Sequence, residues 1–133
     1  MKNCIVKSQL ISNGESIVTT CKGELSKQGN FTRINYTYEK DGSIVNSEII
    51  LLQSNSVKLK VSGDSKYSVT LTEGVSSDFS INVGGYILNS VMYAEVVKIE
   101  KQNSSLNIYL KYQVMFGGEK NNTELYLQVE YDS

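Results

Sequence analysis

The sequence predicts an all-β fold, and three features of the chain lead to that prediction. Apolar and polar residues alternate with a period of two along nearly the whole chain, and no stretch keeps a helical period for long. The 133 residues include no proline, so every backbone N–H remains available to a strand ladder. Glycine-containing turn signals recur at the spacing that is typical of antiparallel β proteins.

These turn signals divide the chain into about eight to ten strands. Asn13-Gly14 and Asp41-Gly42 favour two-residue hairpin turns, because these residue types adopt the positive φ angles that such turns need. A short turn is expected at residues 63–65, a sharp bend or bulge at residues 84–85, and a longer turn over residues 117–122. The predicted strands cover residues 2–12, 15–25, 30–39, 43–53, 56–62, 66–73, 78–83, 86–99, 106–116 and 123–131.

The register that these turns impose gives most hairpins one apolar face and one mostly polar face. Around Asp41-Gly42, for example, Tyr36 and Tyr38 share a face with Ile34, Val45 and Ile49. Strands with one apolar face must close on themselves or pack against a second sheet. Because the hairpins are long and consecutive, we expect an antiparallel up-and-down β-barrel rather than a sandwich. Residues 1–133 are long enough for a single domain with its own core.

Composition and charge exclude several classes of function. The 13 basic residues nearly balance the 14 acidic ones, so no global field attracts the chain to nucleic acid or to an anionic membrane. The first residues are interrupted by lysine too early for an export signal, and no run is long enough to span a membrane, which together predict a cytoplasmic protein. Histidine is absent, which argues against an enzyme, a metal site and any cofactor.

The two cysteines are predicted to be free thiols. A two-residue turn at Asn13-Gly14 places Cys4 opposite Gly23 and Val6 opposite Cys21, so the two sulfurs are only diagonal neighbours. A bridge between diagonal neighbours would be strained, and a protein without an export signal keeps its thiols reduced.

Several short motifs resemble those of the YwiB-like family of uncharacterised bacterial proteins, whose fold is a calycin-like, lipocalin-like β-barrel. They are Ile34-Asn35-Tyr36-Thr37-Tyr38-Glu39, then Val61-Ser62-Gly63 ahead of Tyr67, Phe79-Ser80-Ile81-Asn82-Val83-Gly84-Gly85, Tyr112 and the last strand. Two positions depart from the family pattern, which has an arginine at the place of Val61 and a Thr-Pro-Tyr-Gly-like bend at residues 82–85. The resemblance implies the barrel fold and brings no activity with it.

Five tyrosines are predicted to point into the barrel: Tyr36, Tyr38, Tyr67, Tyr112 and Tyr131. A phenol in a core needs a partner for its hydroxyl group. Several phenols that converge in one barrel either fill the interior or line a pocket for a small, partly apolar molecule. These five residues are the candidate ligand-binding residues.

The segment Ile49-Ile50-Leu51-Leu52 is apolar on both faces, where alternation would leave one face polar. The outward residues Ile50 and Leu52 therefore need cover from another part of the chain or from a partner. We expect a subunit contact at these two residues. The sequence thus predicts a non-enzymatic barrel that binds a small molecule. The alternative is a filled barrel that acts as a protein-interaction or assembly module, for instance as a homodimer.

Overall fold

The structure is a computed structural model that describes residues 1–53 and 55–132. Within these residues every regular element is a β-strand, which confirms the all-β prediction. The strands are β1 (Lys2–Ser12), β2 (Glu15–Gln28), β3 (Phe31–Lys40), β4 (Ser43–Gln53), β5 (Ser56–Ser62), β6 (Ser65–Thr72), β7 (Ser76–Val83), β8 (Tyr86–Lys101), β9 (Ser105–Phe116) and β10 (Glu119–Tyr131).

The ten strands form a closed antiparallel barrel in which each strand pairs with its neighbours in sequence. The barrel closes between β1 and β10, where Val6 pairs with Val129 on one side and with Cys21 on the other. This is the up-and-down arrangement that the sequence predicts. The described residues contain no helix whose length and apolar character would carry it across a bilayer.

Hairpin turns at one end of the barrel set the register. Asn13 and Asp41 have φ angles of 51° and 52°, and the glycine that follows each of them has a φ angle of 82°. Positive φ at both central positions defines the turn type that matches the twist of paired strands. We call the barrel end with the turns at residues 13–14, 41–42, 84–85 and 117–118 the upper end, and the opposite end the lower end.

One prediction about turns is made more specific by the structure and another is wrong. The sharp bend or bulge expected at Gly84-Gly85 is a hairpin turn between β7 and β8, in which both glycines adopt positive φ angles, of 56° and 88°. The last turn is confined to Gly117-Gly118, so β10 begins at Glu119 and not at residue 123. The polar residues 119–122 gave no apolar signal, yet their backbone continues the ladder because this part of β10 lies at the rim, outside the core.

The core consists of the inward side chains of all ten strands. Fully buried aliphatic residues fill the middle of the barrel: Val6, Ile34, Ile49, Val57, Leu71, Met92, Ile108, Leu110 and Val129. A barrel of this size can be filled by its own side chains or can hold one small ligand. Here these side chains fill the middle of the barrel, and a small interior cavity is left in the upper half.

The ladder is irregular at β8 and at the seam between β6 and β7. A bulge at Glu95 shifts the pairing of β8 with β9 between Ala94 and Val96. Strands β6 and β7 pair only through residues 65–67 and 81–83 among the described residues. Below these pairs β6 turns toward β8, and the Gly74 N–H donates to the Ala94 carbonyl at 2.8 Å.

The β7–β8 hairpin projects beyond the rim at the upper end. The ladder of β8 with β9 begins at Val91, and the Ser90 hydroxyl donates to the Met115 carbonyl, so residues 86–89 extend beyond the last contact with β9 among the described residues. The apolar side chains on the inner face of the hairpin are therefore exposed, with Val83 at 39%, Tyr86 at 78% and Leu88 at 50%.

Candidate functional site

Four of the five predicted tyrosines meet in the upper half of the barrel. Tyr36 and Tyr38 are on β3, Tyr67 is on β6 and Tyr112 is on β9, and all four line one interior cavity of about 70 Å³. Residues two apart on a strand point to the same side, so β3 contributes two adjacent phenols to this cavity. We call this set the tyrosine cluster.

The rings of the tyrosine cluster are held in place by neighbouring rings and by β4. The ring centroids of Tyr36 and Tyr38 lie 6.1 Å apart with an angle of 21° between the planes. The Tyr67 ring lies 5.8 Å from the ring of Phe79 at 56°, on the side of β7. Ser47 pairs with Tyr36 across the β3–β4 ladder, and its hydroxyl is within hydrogen-bonding reach of the phenols of Tyr36 and Tyr38.

Burial keeps the phenols of the cluster uncharged. It raises the pKa of Tyr67 to about 12, because the phenolate would lose its hydration inside the barrel. Burial also raises the pKa of Tyr36, Tyr38 and Tyr112, and for Tyr36 and Tyr38 the hydrogen bond from Ser47 opposes part of that rise. At neutral pH the cluster therefore offers neutral O–H donors and no negative charge.

The rest of the cavity wall is apolar or weakly polar. Leu10, Ile49, Leu59, Val61, Leu125 and the hydroxyl-bearing Ser8 line it from the inner face, and the Ser8 hydroxyl is itself hydrogen-bonded to that of Thr19 at 2.7 Å. Glu48 and Lys60 also border the cavity, but they alternate with inward residues of β4 and β5, so their side chains belong to the outer face. Among the described residues, no phenol oxygen of the cluster is a fully buried atom that lacks a hydrogen-bond partner. The hydroxyl groups are therefore hydrogen-bonded or reach space that a water molecule or a ligand atom can enter.

The cavity itself is small. A water molecule takes about 30 Å³ of liquid volume, so about 70 Å³ is room for roughly two waters or for one small functional group. Pockets for drug-sized ligands are several times larger. Any ligand of the tyrosine cluster must place one end in the cavity and the rest of its body at the open upper end.

Tyr131 does not join the tyrosine cluster. It lies near the end of β10 opposite Cys4, at the lower end of the barrel. The Lys2 ammonium group is 5.4 Å from the centroid of the Tyr131 ring, in the range of a cation–π contact. The alternation of β10 correctly predicts that this ring lies on the inner side, but alternation gives no information on which end of the barrel a residue occupies.

The two predicted interface residues lie on the outside of the barrel. Ile50 is half-buried and is flanked in the ladder by Arg33 and Lys58. Leu52 is half-buried two residues further along β4, and Phe31 at the start of β3 is 49% exposed. The outer apolar stripe that the sequence predicts is therefore present, and nothing within the described chain covers it fully.

The cysteine thiols and the carboxylates of the described residues do not form a metal site. Cys4 and Cys21 are both free thiols, as predicted, and burial raises the pKa of each. Within residues 1–53 and 55–132, no three acidic or cysteine side chains come together as a metal site would require. Glu48 forms an ion pair at 2.7 Å with Arg33, its diagonal neighbour across the β3–β4 ladder.

Two features of the surface are not apparent from the alternation pattern. One is the projection of the β7–β8 hairpin, which depends on where β9 turns. The other is the pairing of Tyr109 with Tyr126 on the outer face of the last hairpin. The register of that hairpin would have revealed the tyrosine pair, but only with the turn placed at Gly117-Gly118.

Comparison with known protein families assigns the chain to one of them. The family model described as domain of unknown function DUF1934 matches residues 4–127, which is nearly the whole chain. The chain belongs to the DUF1934 family. This family membership confirms the YwiB-like resemblance of the motifs, and it brings no established activity.

A solved relative of this DUF1934 protein has the same fold. The crystal structure of ywiB protein from Bacillus subtilis superimposes with a TM-score of 0.79 at 17% sequence identity. The match covers 98% of this chain and 91% of that chain. At this identity the likeness extends to the barrel and not to the side chains that line it. No curated protein matches this DUF1934 chain in sequence.

Proposed function

We propose that this protein is a non-enzymatic binding protein that holds a small, uncharged, partly apolar molecule at the upper end of the barrel. The observation that carries the proposal is the convergence of four inward phenols on one cavity. Filling a core with aliphatic residues needs no hydrogen-bond partners, whereas each buried phenol does need one. A cluster of phenols around an unfilled cavity is therefore what a semi-polar ligand site requires.

The phenols determine which end of the ligand enters the cavity. Since burial keeps them protonated, they donate hydrogen bonds and favour an acceptor such as a carbonyl, ether or hydroxyl oxygen. An ionised group would have to leave water for a site whose inward side chains carry no opposite charge, which is costly. The ligand end in the cavity is therefore neutral and polar.

The β7–β8 hairpin provides an apolar wall for the remainder of the ligand. Tyr67 pairs with Ile81 in the β6–β7 ladder, and Ile81 pairs with Leu88 in the β7–β8 ladder. Directly paired residues share a face, so Leu88 continues the inner face that begins at Tyr67. With half of its surface exposed, Leu88 gains from any apolar group that covers it.

Native mass spectrometry of the protein purified from its own cells tests the proposal. A molecule retained under gentle conditions and lost on denaturation is expected, and its mass identifies the ligand. The Tyr112→Phe variant should lose that molecule, because it removes a donor from the cavity, whereas Tyr126→Phe on the outer face should retain it. A wild-type spectrum without adduct, or equal retention in both variants, would contradict the proposal.

A second candidate function is assembly through the outer apolar stripe. The observation that favours it is the position of Ile50 and Leu52 on the outside of β4, half-buried beside the exposed Phe31. Exposed apolar patches of this kind mark contacts with other proteins or with a second subunit. In this case the barrel interior has only a structural role and the native spectrum shows a dimer or a complex without a small molecule.

A further inference from the structure

A groove on the outside of the barrel contains a rigid pair of tyrosines. Tyr109 on β9 and Tyr126 on β10 are cross-strand partners, and their ring centroids lie 4.6 Å apart with 31° between the planes. The Tyr109 hydroxyl donates a hydrogen bond to Glu124 Oε1 at 3.1 Å. The rings are thus fixed against each other and against β10, while Tyr126 is still 42% exposed. They form an aromatic platform on the outer surface.

Polar side chains surround this platform in two rows that cross β2, β1, β10, β9 and β8. The first row is Val18, Gln9, Tyr126, Tyr109 and Lys98, and the second is Thr20, Lys7, Gln128, Asn107 and Glu100. All of these residues except Thr20 line a groove with a volume of about 470 Å³, which lies within the range of small-molecule sites. It is large enough for a ligand of two or three small rings, unlike the interior cavity.

Charges in the groove balance locally. The groove itself contains Lys7, Lys98 and Glu100, and Lys7 lies 4.0 Å from Glu130, which borders the groove without lining it. A surface that binds a nucleic-acid backbone needs an excess of positive charge along the strand path. Because such an excess is absent from this groove, it favours a neutral ligand over a polyanion.

We propose that this groove binds a neutral saccharide. A pyranose ring has an apolar C–H face that packs on a tyrosine ring, and its edge carries hydroxyl groups. The side-chain amides of Gln9, Asn107 and Gln128 each offer a donor and an acceptor, which match two neighbouring hydroxyls of a sugar. Aromatic stacking together with planar amide partners is the chemistry that such a ring needs. The site is separate from the tyrosine cluster and does not depend on the function proposed for it.

The test is an NMR titration of the isotope-labelled protein with four neutral trisaccharides: maltotriose, cellotriose, xylotriose and triacetylchitotriose. At least one should shift the resonances of Tyr126, Gln9 and Asn107 while leaving those of the tyrosine cluster unchanged. An octamer of deoxythymidine serves as the polyanionic rival. Absence of any localised shift up to about 10 mM trisaccharide, or binding of the octamer in a salt-dependent manner instead, would overturn the proposal.

Variants at the platform separate stacking from folding. Tyr126→Ala should weaken saccharide binding by about tenfold or more, whereas Tyr126→Phe should retain it, because the phenyl ring still stacks. The control is Tyr86→Ala, since Tyr86 is an exposed tyrosine on the β7–β8 hairpin, away from the groove. Unchanged melting temperatures show that the barrel remains folded. Unchanged affinity in a folded Tyr126→Ala variant would refute the site.

Discussion

At Gly23 the interior of the barrel leaves no room for a side chain. A Cβ atom at this position would lie 2.6 Å from the Asn35 carbonyl oxygen and 3.1 Å from Val6 Cγ2. The backbone of β3 cannot move away without breaking its ladder with β2, where Gly23 pairs with Tyr36. The glycine thus permits the close approach of two strands directly below the tyrosine cluster.

Gly23→Ala is therefore expected to lower the free energy of unfolding by about 1–3 kcal/mol, the usual cost of forcing an extra carbon into a packed interior. Urea denaturation measures the change. Thr20→Ala on the outer face of the same strand is the control, and it should change stability by about 0.5 kcal/mol or less. Equal stability of Gly23→Ala and Thr20→Ala would show that the backbone of β3 can shift to make room for the added carbon.

The phenols of the tyrosine cluster make stability depend on alkaline pH. The pKa of Tyr67 is about 12 in the folded chain against 10.0 for an ordinary tyrosine, so folding favours the protonated form. The stabilisation is fully present below pH 10 and is lost as the pH rises toward 12, because the unfolded chain releases its proton first.

Tyr67→Phe should flatten this part of the pH profile. Two pH units at about 1.4 kcal/mol each correspond to a fall of roughly 2–3 kcal/mol between pH 10 and 12 that the variant lacks. Urea denaturation of wild type and variant at pH 8, 10 and 11.5 measures the difference, and phenolate absorbance identifies the late-titrating tyrosines. Parallel profiles for the two proteins would mean that Tyr67 titrates as an exposed tyrosine does.

Residue faces were largely predictable, whereas positions along the barrel were not. Alternation places Tyr36, Tyr38, Tyr67 and Tyr112 on the inner side because each strand buries one face. Alternation by itself carries no position along the barrel, so it could not separate Tyr131, which pairs with Cys4 far from the Gly117-Gly118 turn, from the other four. The size of the cavity was also unpredictable, because it depends on how the side chains of several strands interdigitate.

Strand β4 shows how an element can satisfy the core on one face and leave an apolar stripe on the other. Its inward residues Ile49 and Leu51 are buried, and its outward residues Ile50 and Leu52 are mostly but not completely covered. If the stripe is a subunit contact, Ile50→Lys should convert a self-associated protein to a monomer while the barrel remains folded.

Sedimentation velocity at several concentrations measures this effect. Ile44→Lys is a matched control on the same strand and face, because Ile44 is 64% exposed near the turn and lies outside the stripe. Loss of association in both variants would point to a general effect of added charge. Unchanged association in Ile50→Lys would remove Ile50 from the contact.

The seam between β6 and β7 is the weakest part of the barrel wall. Three residue pairs join these strands, against twelve for β9 and β10. Backbone amides of residues 76–80 that face β6 should therefore exchange with solvent roughly tenfold faster than amides of the β9–β10 ladder, as judged by hydrogen exchange followed by NMR. Uniform protection around the barrel would show that side-chain packing compensates for the missing pairs.

Strand boundaries could be predicted where turn chemistry and apolar alternation agree. Asn13-Gly14 and Asp41-Gly42 lie between strands with clear alternation, and the structure has both turns in the expected places. The start of β10 could not be predicted because Lys120, Asn121 and Asn122 carry no apolar signal, although their backbone pairs with β9. The extended backbone of a rim segment is stabilised by ladder hydrogen bonds and not by burial in the core. Its side chains therefore need not be apolar, and alternation does not reveal the strand.

For the whole molecule, closure between β1 and β10 brings the two ends of the described chain together. Cys4 pairs with Tyr131 across this seam, which carries nine residue pairs. A short linker can therefore join residue 131 to residue 2, and new ends can be opened at Gly117-Gly118, where the glycine α-carbons face open space.

Such a circular permutant, with a linker of about five glycine and serine residues, should fold to the same barrel with a loss of stability of about 1–2 kcal/mol. Circular dichroism and urea denaturation measure the outcome. A permutant opened between Ile49 and Ile50 is the control and should fail to fold, because it interrupts a buried strand. Failure of the first permutant would show that connectivity at the upper end matters more than the closing seam.

The closing seam also has a consequence for biosynthesis. While the chain is being made, β1 can pair with β2 but lacks its other neighbour until β10 leaves the ribosome. Until then the nascent sheet has two unpaired edges, and it exposes the inward faces of Val6 and Leu110, which are fully buried only in the closed barrel. Open edges and exposed cores are where nascent chains aggregate. We therefore expect this barrel to depend on its last strand for protection during synthesis, so that a ribosome stalled within residues 119–131 would leave an aggregation-prone chain.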